Sequence, residues 1–211
     1  MILRLYSLGL SALMPWLVIV LGLAQTPAAQ VGVRQEGHQE AAYRGGLVTP
    51  ALPKPSFTLT DTSGAAFDFK GGTNGYVTLL FFGYAHCVTV CPTQMAYLAG
   101  AMRKLPREVT DQIKVVFVTT DPAQDNPRLL RAWLNHFDKS FIGLTGSAAD
   151  VEAAEVASMI PRTTANPAEH AAFVLAYTKD NLGHVIYPAG VTQSDWLHDL
   201  PQLANARWTG R

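Results

Sequence analysis

Cysteine is scarce in this chain, with only Cys87 and Cys91 among 211 residues. Two cysteines exclude the disulfide-rich scaffold of small secreted domains. Charge is scarce as well: 15% of the residues are charged, and 16 basic residues balance 16 acidic ones. With no net charge and no basic cluster, the sequence argues against a nucleic-acid-binding protein. It contains no internal repeat and no heptad pattern, which excludes repeat arrays and coiled coils.

The first 24 residues carry one charge, Arg4, followed by twenty uncharged residues. A signal-peptide core has about 7–15 apolar residues and a spanning helix about 20, so this length predicts an uncleaved membrane anchor over residues 1–24. Gly22 and Ala24 also fit a signal cleavage site, so a cleaved signal is the alternative. Either segment would export the rest of the chain to an extracytoplasmic compartment.

Residues 25–52 contain several prolines and glycines and show no sustained hydrophobic period. They are predicted to form a flexible linker. The remaining residues, 53–211, are predicted to form one domain, because that length suffices to bury a core.

Hydrophobic patterns in the domain predict strands that alternate with helices. The predicted strands are 57–60, 67–69, 76–82, 114–120, 142–144, 172–178 and 184–187. The predicted helices are 92–104, 126–137, 147–159 and 194–206. This order predicts an α/β fold, with one mixed sheet flanked by helices. Ligands of open α/β sheets bind at the carboxyl ends of strands, and both cysteines follow the strand predicted at 76–82.

The two cysteines form a C-x3-C pair at a predicted strand-to-helix turn. Cys91 directly precedes Pro92, a residue typical of a helix start, so we expect the helix dipole to lower the pKa of its thiol. Two thiolates form a redox-active dithiol, and with one imidazole they select Cu(I) and accept Cu(II). A plain stabilising disulfide is the alternative reading of the pair.

Six histidines could supply an imidazole. His170 immediately precedes the strand predicted at 172–178, an entry point that can face the cysteine-bearing helix, and it is the best candidate. His86 is a weaker one, because side chains of adjacent residues usually diverge. The other four are expected to be ordinary surface or packed residues: His38, His136, His184 and His198.

Three features together resemble the Sco/SenC family of copper proteins. They are the run FFGYAHCVTVCP at 81–92, the run VTTDPAQDNP about 30 residues later, and His170 ahead of a strand. The resemblance implies a thioredoxin-like fold and copper, as Cu(I) and/or Cu(II), bound by Cys87, Cys91 and His170. It also implies assembly of the dinuclear copper centre of cytochrome c oxidase, as copper donor, thiol reductant or both.

The expected partner is therefore the copper-accepting subunit of cytochrome c oxidase or a similar cuproenzyme. In a bacterium, the N-terminal segment would span the inner membrane once and place the domain in the periplasm. Asp121 and Asp125 match the DPxxD pattern of the family, and we expect them to end a strand and cap a helix. The alternative is that they tune the charge of the copper site, where two thiolates and Cu(I) leave a net charge of about −1.

The chain departs from the family near the expected ligands. Val88-Thr89 replaces the common Pro-Asp, and Glu169 and Ala171 replace the common Asp and Ser around His170. Changes next to metal ligands alter affinity and potential.

Three other functions use the same cysteines. A thiol–disulfide oxidoreductase needs only Cys87 and Cys91, although its usual spacing is C-x-x-C. A peroxiredoxin-like peroxidase would use Cys91 as a helix-capping thiolate. A structural zinc site would combine both cysteines with His170 and His86. Loss of function on substitution of His170 would separate the metal-binding functions from the metal-free ones.

Overall fold

The computed structural model describes residues 43–159 and 172–208. The strands are β1 (Gly46–Pro53), β2 (Thr58–Asp61), β3 (Ala66–Asp68), β4 (Val77–Gly83), β5 (Ile113–Thr119), β6 (Ile142–Thr145), β7 (Phe173–Tyr177) and β8 (Leu182–Pro188). The helices are α1 (Phe69–Gly72), α2 (Val90–Met102), α3 (Arg107–Thr110), α4 (Pro127–Leu134), α5 (Ala148–Ala157) and α6 (Gln193–Asn205).

Three of the predicted features fall outside these residues, namely the anchor over 1–24, His38 and His170. Among the residues that the structure does describe, no helix combines the length and the apolar character that a bilayer crossing requires.

The strands form one mixed sheet in the order β1-β8-β7-β4-β5-β6-β2-β3. β4 lies near its centre, parallel to β5 and antiparallel to β7. The predicted mixed α/β sheet is confirmed. The sheet places the carboxyl end of β4, and therefore the cysteine-bearing turn, between two neighbouring strands.

β4 is buried along its whole length because helices cover both faces of the sheet. Leu79 and Phe81 point into a core formed with α2, α4 and α6. Leu80 and Phe82 point into the opposite core, which includes residues of α5. Alternating side chains of one strand thus serve both cores, which explains the uninterrupted apolar run that predicted a central strand.

β1 is the main departure from the predicted organisation. It lies almost entirely within the segment predicted as a linker, and it pairs with β8 at the edge of the sheet. Pro50 and Pro53 interrupt its pattern, and its register shifts between Leu47 and Leu52. Prolines are tolerated on an edge strand because the missing N–H faces away from the sheet.

Two buried side chains fix the ends of β1. Asp199 of α6, which is fully buried, accepts hydrogen bonds from the backbone N–H groups of Arg44 and Gly45 at 2.8 and 3.2 Å. Lys54, only 2% exposed, donates to the Thr73 carbonyl at 3.1 Å and to the Thr78 hydroxyl at 3.1 Å. Burial lowers the pKa of Lys54 from 10.5 to about 8. The sheet therefore includes residues 46–52, which the sequence assigned to the linker.

The helix starts follow local capping rules. Asn126 accepts a hydrogen bond from the Leu129 N–H at the start of α4, and Ser147 does the same for Asp150 at the start of α5, as predicted. Thr192 caps α6 in a reciprocal arrangement with Asp195. The capping residues thus set where three helices leave the sheet.

Candidate metal centre

The two cysteines lie on a turn that connects β4 to α2. β4 ends at Gly83, and the N–H of Cys87 donates to the Tyr84 carbonyl at 3.2 Å. α2 begins at Val90, two residues before the predicted start. Cys91 therefore lies inside the first helical turn and not before it, and its side chain is buried in the core with 0% exposure.

Gly83 provides the space that the Cys91 side chain occupies. A Cβ atom added at Gly83 would lie 2.9 Å from the Cys91 sulfur and 3.0 Å from the Phe81 ring. A Cβ atom at these distances would force the neighbouring side chains to shift, so glycine is strongly favoured at this point of close approach. The sequence did contain a signal for this close approach: Gly83 ends an apolar strand directly ahead of the cysteine pair.

The two thiols have opposite environments. Burial raises the pKa of the Cys87 thiol, but hydrogen bonds from the backbone N–H groups of Cys91 and Thr89 outweigh burial and hold this pKa below its ordinary value. The N–H of Cys91 lies 3.5 Å from the Cys87 sulfur. Burial raises the pKa of the Cys91 thiol strongly. The expectation for Cys91 was therefore wrong, because the helix start favours the thiolate of Cys87 instead.

Both cysteines are free thiols in this structure. A half-buried thiol and a buried one, separated by one helical turn, supply two soft sulfur donors to a metal such as Cu(I). Within residues 43–159 and 172–208, no three His, Cys, Asp or Glu side chains are grouped to hold a metal ion. The dithiol fits a soft metal, and His170, the third ligand that the sequence predicts, lies outside the described residues.

His86 is directed toward carboxylates. Its Nε2 atom lies 3.6 Å from Oδ2 of Asp121, and its Nδ1 atom lies 4.0 Å from Oδ1 of Asp125. Its ring also packs on Tyr84, with the ring centroids 4.5 Å apart. The ring is about half exposed, with 49% of its side chain accessible to solvent.

Asp125 does not cap a helix, since Asn126 holds that position. Its carboxylate is 1% exposed and accepts hydrogen bonds from the Ala85 N–H at 2.8 Å and the Thr119 hydroxyl at 2.7 Å. Asp125 thus contacts the cysteine-bearing turn from 40 residues away along the chain. The DPxxD run had singled out Asp125 as a candidate residue, but the sequence did not predict its contact with the turn.

Of the other described histidines, His136 is exposed, and His184 and His198 are engaged away from the cysteines. His184 contacts Asp180 at 2.8 Å and stacks on the Trp208 ring with centroids 3.9 Å apart, and His198 contacts Asp199 at 2.6 Å. The structure therefore agrees with their prediction as ordinary packed or surface residues.

A mixed sheet with helices on both faces and a C-x3-C dithiol at the end of the central strand defines a thioredoxin-like domain. The family model described as SCO1/SenC matches residues 48–202. The chain therefore belongs to the SCO1/SenC family.

Relatives in this family share the fold and part of the sequence. The chain is 32% identical over 119 residues to mitochondrial protein SCO1 of Saccharomyces cerevisiae, covering 56% of this chain and 40% of that protein. The structure of Bradyrhizobium japonicum ScoI with copper bound is 26% identical, with a TM-score of 0.62, over 72% of this chain and 99% of that one. The chain spans about half, or less, of the length of the curated relatives that it matches.

A further structure shows the same fold in a protein that carries a disulfide switch. This is BsSco, a member of the Sco family of cytochrome c oxidase assembly proteins. It is 20% identical, with a TM-score of 0.61, over 75% of this chain and 96% of that one.

Proposed function

We propose that this protein is a membrane-anchored copper chaperone that binds one copper ion through Cys87, Cys91 and His170. It would deliver copper to the dinuclear copper centre of cytochrome c oxidase, reduce the cysteines of that centre, or do both. The observation that carries the proposal is the dithiol at the end of β4, in which the Cys91 N–H points at the Cys87 sulfur. The family match and the copper-bound relative support copper as the metal.

The two thiols differ in burial and in pKa, and this difference suits a protein that must both bind and release a metal ion. Hydrogen bonds that lower the pKa of the half-buried Cys87 thiol favour its thiolate over that of Cys91. The buried Cys91 thiol loses its proton when a metal replaces it, since only the thiolate is a ligand. Copper therefore binds first to Cys87, the more accessible of the two sulfurs, and the partner protein takes copper from the same atom.

The same pair also suits a reducing role. Formation of a Cys87–Cys91 disulfide releases two electrons and two protons, which convert one disulfide of the recipient into two thiols. A metal-free thiol–disulfide oxidoreductase therefore remains the second candidate, favoured by the two free thiols within one turn. Peroxidase chemistry at Cys91 is disfavoured, because this thiol is fully buried and its pKa is raised.

The proposed location follows from the N-terminal segment. Residues 1–24 would form a single span of a bacterial inner membrane, and the copper-binding domain would lie in the periplasm. Residues 25–42 would join the anchor to the ordered domain.

A competitive Cu(I) titration of the reduced full chain tests this function. We expect one tightly bound copper ion per chain. The Cu(I) affinity of His170→Ala should be lower by roughly 100-fold or more, because removing a metal ligand lowers the affinity more than removing a residue that only orients a ligand. His136→Ala is the matched control, because His136 is exposed and lies between α4 and the start of β6, at the end of the sheet opposite the cysteine-bearing turn. Equal affinity in wild type and His170→Ala would exclude His170 as a ligand and leave the oxidoreductase.

A further inference from the structure

Asp125 differs from the other fully enclosed aspartate of the domain. Both oxygens of Asp199 have donors: Oδ2 accepts from Arg44, Gly45 and Tyr187, and His198 contacts Oδ1. Asp125 uses only Oδ2, and its buried Oδ1 has no hydrogen-bond partner among the described residues. A buried carboxylate oxygen without a donor is costly, so an aspartate serving the fold alone would have both oxygens paired.

The unpaired oxygen faces His86. Its distance of 4.0 Å to His86 Nδ1 exceeds a hydrogen bond by about 1 Å. The other oxygen already holds the N–H of Ala85, the residue before His86. One carboxylate therefore contacts two consecutive residues that lead directly into Cys87.

The carboxylate itself is rigidly held. Thr119 donates to Oδ2 from the end of β5, and the same hydroxyl accepts from the Asp121 N–H at 3.1 Å. Thr145 of β6 donates to the Asp125 carbonyl at 3.1 Å. Asp125 is thus fixed to two strands, and its hydrogen bond from the Ala85 N–H ties the cysteine-bearing turn to them.

We propose that Asp125 is a positioning residue for the copper site: it holds the Ala85 N–H, next to His86, so that the Cys87 sulfur meets the N–H of Cys91. This inference rests on the proposed copper function. Without the carboxylate, the turn is no longer held, and the two sulfurs are close to each other for a smaller fraction of the time. Both copper binding and disulfide formation are therefore weakened. Partners that orient metal ligands typically change affinity about 10–100-fold when removed.

The test compares Asp125→Ala and Asp125→Asn with wild type in the full chain. Two quantities are measured: Cu(I) affinity by competition with a chromophoric chelator, and the equilibrium constant for Cys87–Cys91 disulfide formation against glutathione. We expect Asp125→Ala to lower both by about tenfold or more. Asp125→Asn, which keeps an oxygen for the Ala85 N–H, should fall between Ala and wild type.

Asp199→Asn is the matched control, because Asp199 is equally buried and does not contact the cysteine-bearing turn. It should lower the thermal midpoint without changing either equilibrium. If Asp125→Ala does not fold, Thr119→Val removes the hydroxyl donor to the same oxygen and should shift both quantities in the same direction.

Wild-type values in Asp125→Ala, or equal shifts in Asp199→Asn, would overturn the positioning role. The two proposals fail separately. If wild type binds no Cu(I), the copper function is wrong, and the glutathione equilibrium alone decides the role of Asp125.

Discussion

The backbone N–H of Cys91 points at the sulfur of Cys87, 3.5 Å away. This contact lowers the pKa of the Cys87 thiol, whereas burial raises the pKa of the Cys91 thiol. The helix start thus acts on the cysteine before it, not on the cysteine within it.

The first prediction concerns thiol reactivity. In the reduced protein at neutral pH, iodoacetamide should modify Cys87 faster than Cys91 by roughly tenfold or more, since only the former combines exposure with a lowered pKa. Peptide mapping by mass spectrometry after timed quenching gives the two rates. Faster labelling of Cys91 would contradict the assigned environments.

The second prediction concerns the glycine beneath Cys91. Gly83→Ala should destabilise the domain by about 1–3 kcal/mol, because its Cβ would lie 2.9 Å from the Cys91 sulfur and 3.1 Å from the Phe117 ring. Urea unfolding measures the loss, and Cu(I) affinity should fall as the sulfur moves. Gly46→Ala is the control, since its Cβ would meet Ile186 at an ordinary 3.6 Å. Equal stability of the Gly83 variant and wild type would refute the packing argument.

The third prediction concerns pH and Lys54. Burial lowers the pKa of Lys54 to about 8, so between about pH 8 and 10.5 the unfolded chain binds a proton that the folded protein has released. Stability from this group therefore rises with pH across that window, by up to roughly 2 kcal/mol between pH 8 and 10. Below pH 8 both states are protonated and the contribution is constant.

The difference in unfolding free energy between wild type and Lys54→Met isolates this effect from other titrating groups. The unfolding free energy of wild type should rise relative to that of Lys54→Met from pH 8 to pH 10. Lys139→Met is the control for the loss of one lysine charge at an exposed position. A flat profile for Lys54→Met would mean that Lys54 keeps its ordinary pKa in the folded protein.

The fourth prediction concerns the start of α2. Thr89 holds the N-cap position without any side-chain capping hydrogen bond. Thr89→Ala should therefore change stability by less than about 0.5 kcal/mol, whereas removing a working cap costs about 1 kcal/mol. Ser147→Ala, which removes such a cap from α5, is the comparison. Equal losses in thermal unfolding would show that Thr89 caps α2 in solution.

Much of the sheet could be predicted because its signals are local. The apolar run of β4 between two glycines identified a central strand, and Asn126 and Ser147 identified helix starts. β1 was missed because Pro50 and the exposed residues around it give no alternating pattern. Its position depends on pairing with β8, which is more than 100 residues away.

The position of the two cysteines after the central strand was predictable, but the electrostatics of their thiols were not. The C-x3-C spacing identified both sulfurs. The burial of Cys91 required the early start of α2 and the space at Gly83, and the role of Asp125 required a contact across 40 residues. Long-range contacts of this kind leave no periodic pattern in a single sequence.

The two edge strands of the sheet also determine whether crowded copies of the protein can pair with one another through their sheets. β1 carries Pro50 and Pro53 and an irregular register, and β3 at the other edge has three residues. Neither edge offers a long row of unpaired N–H and C=O groups as a template for another chain. Molecules crowded side by side would therefore resist strand-to-strand aggregation through the described edge strands.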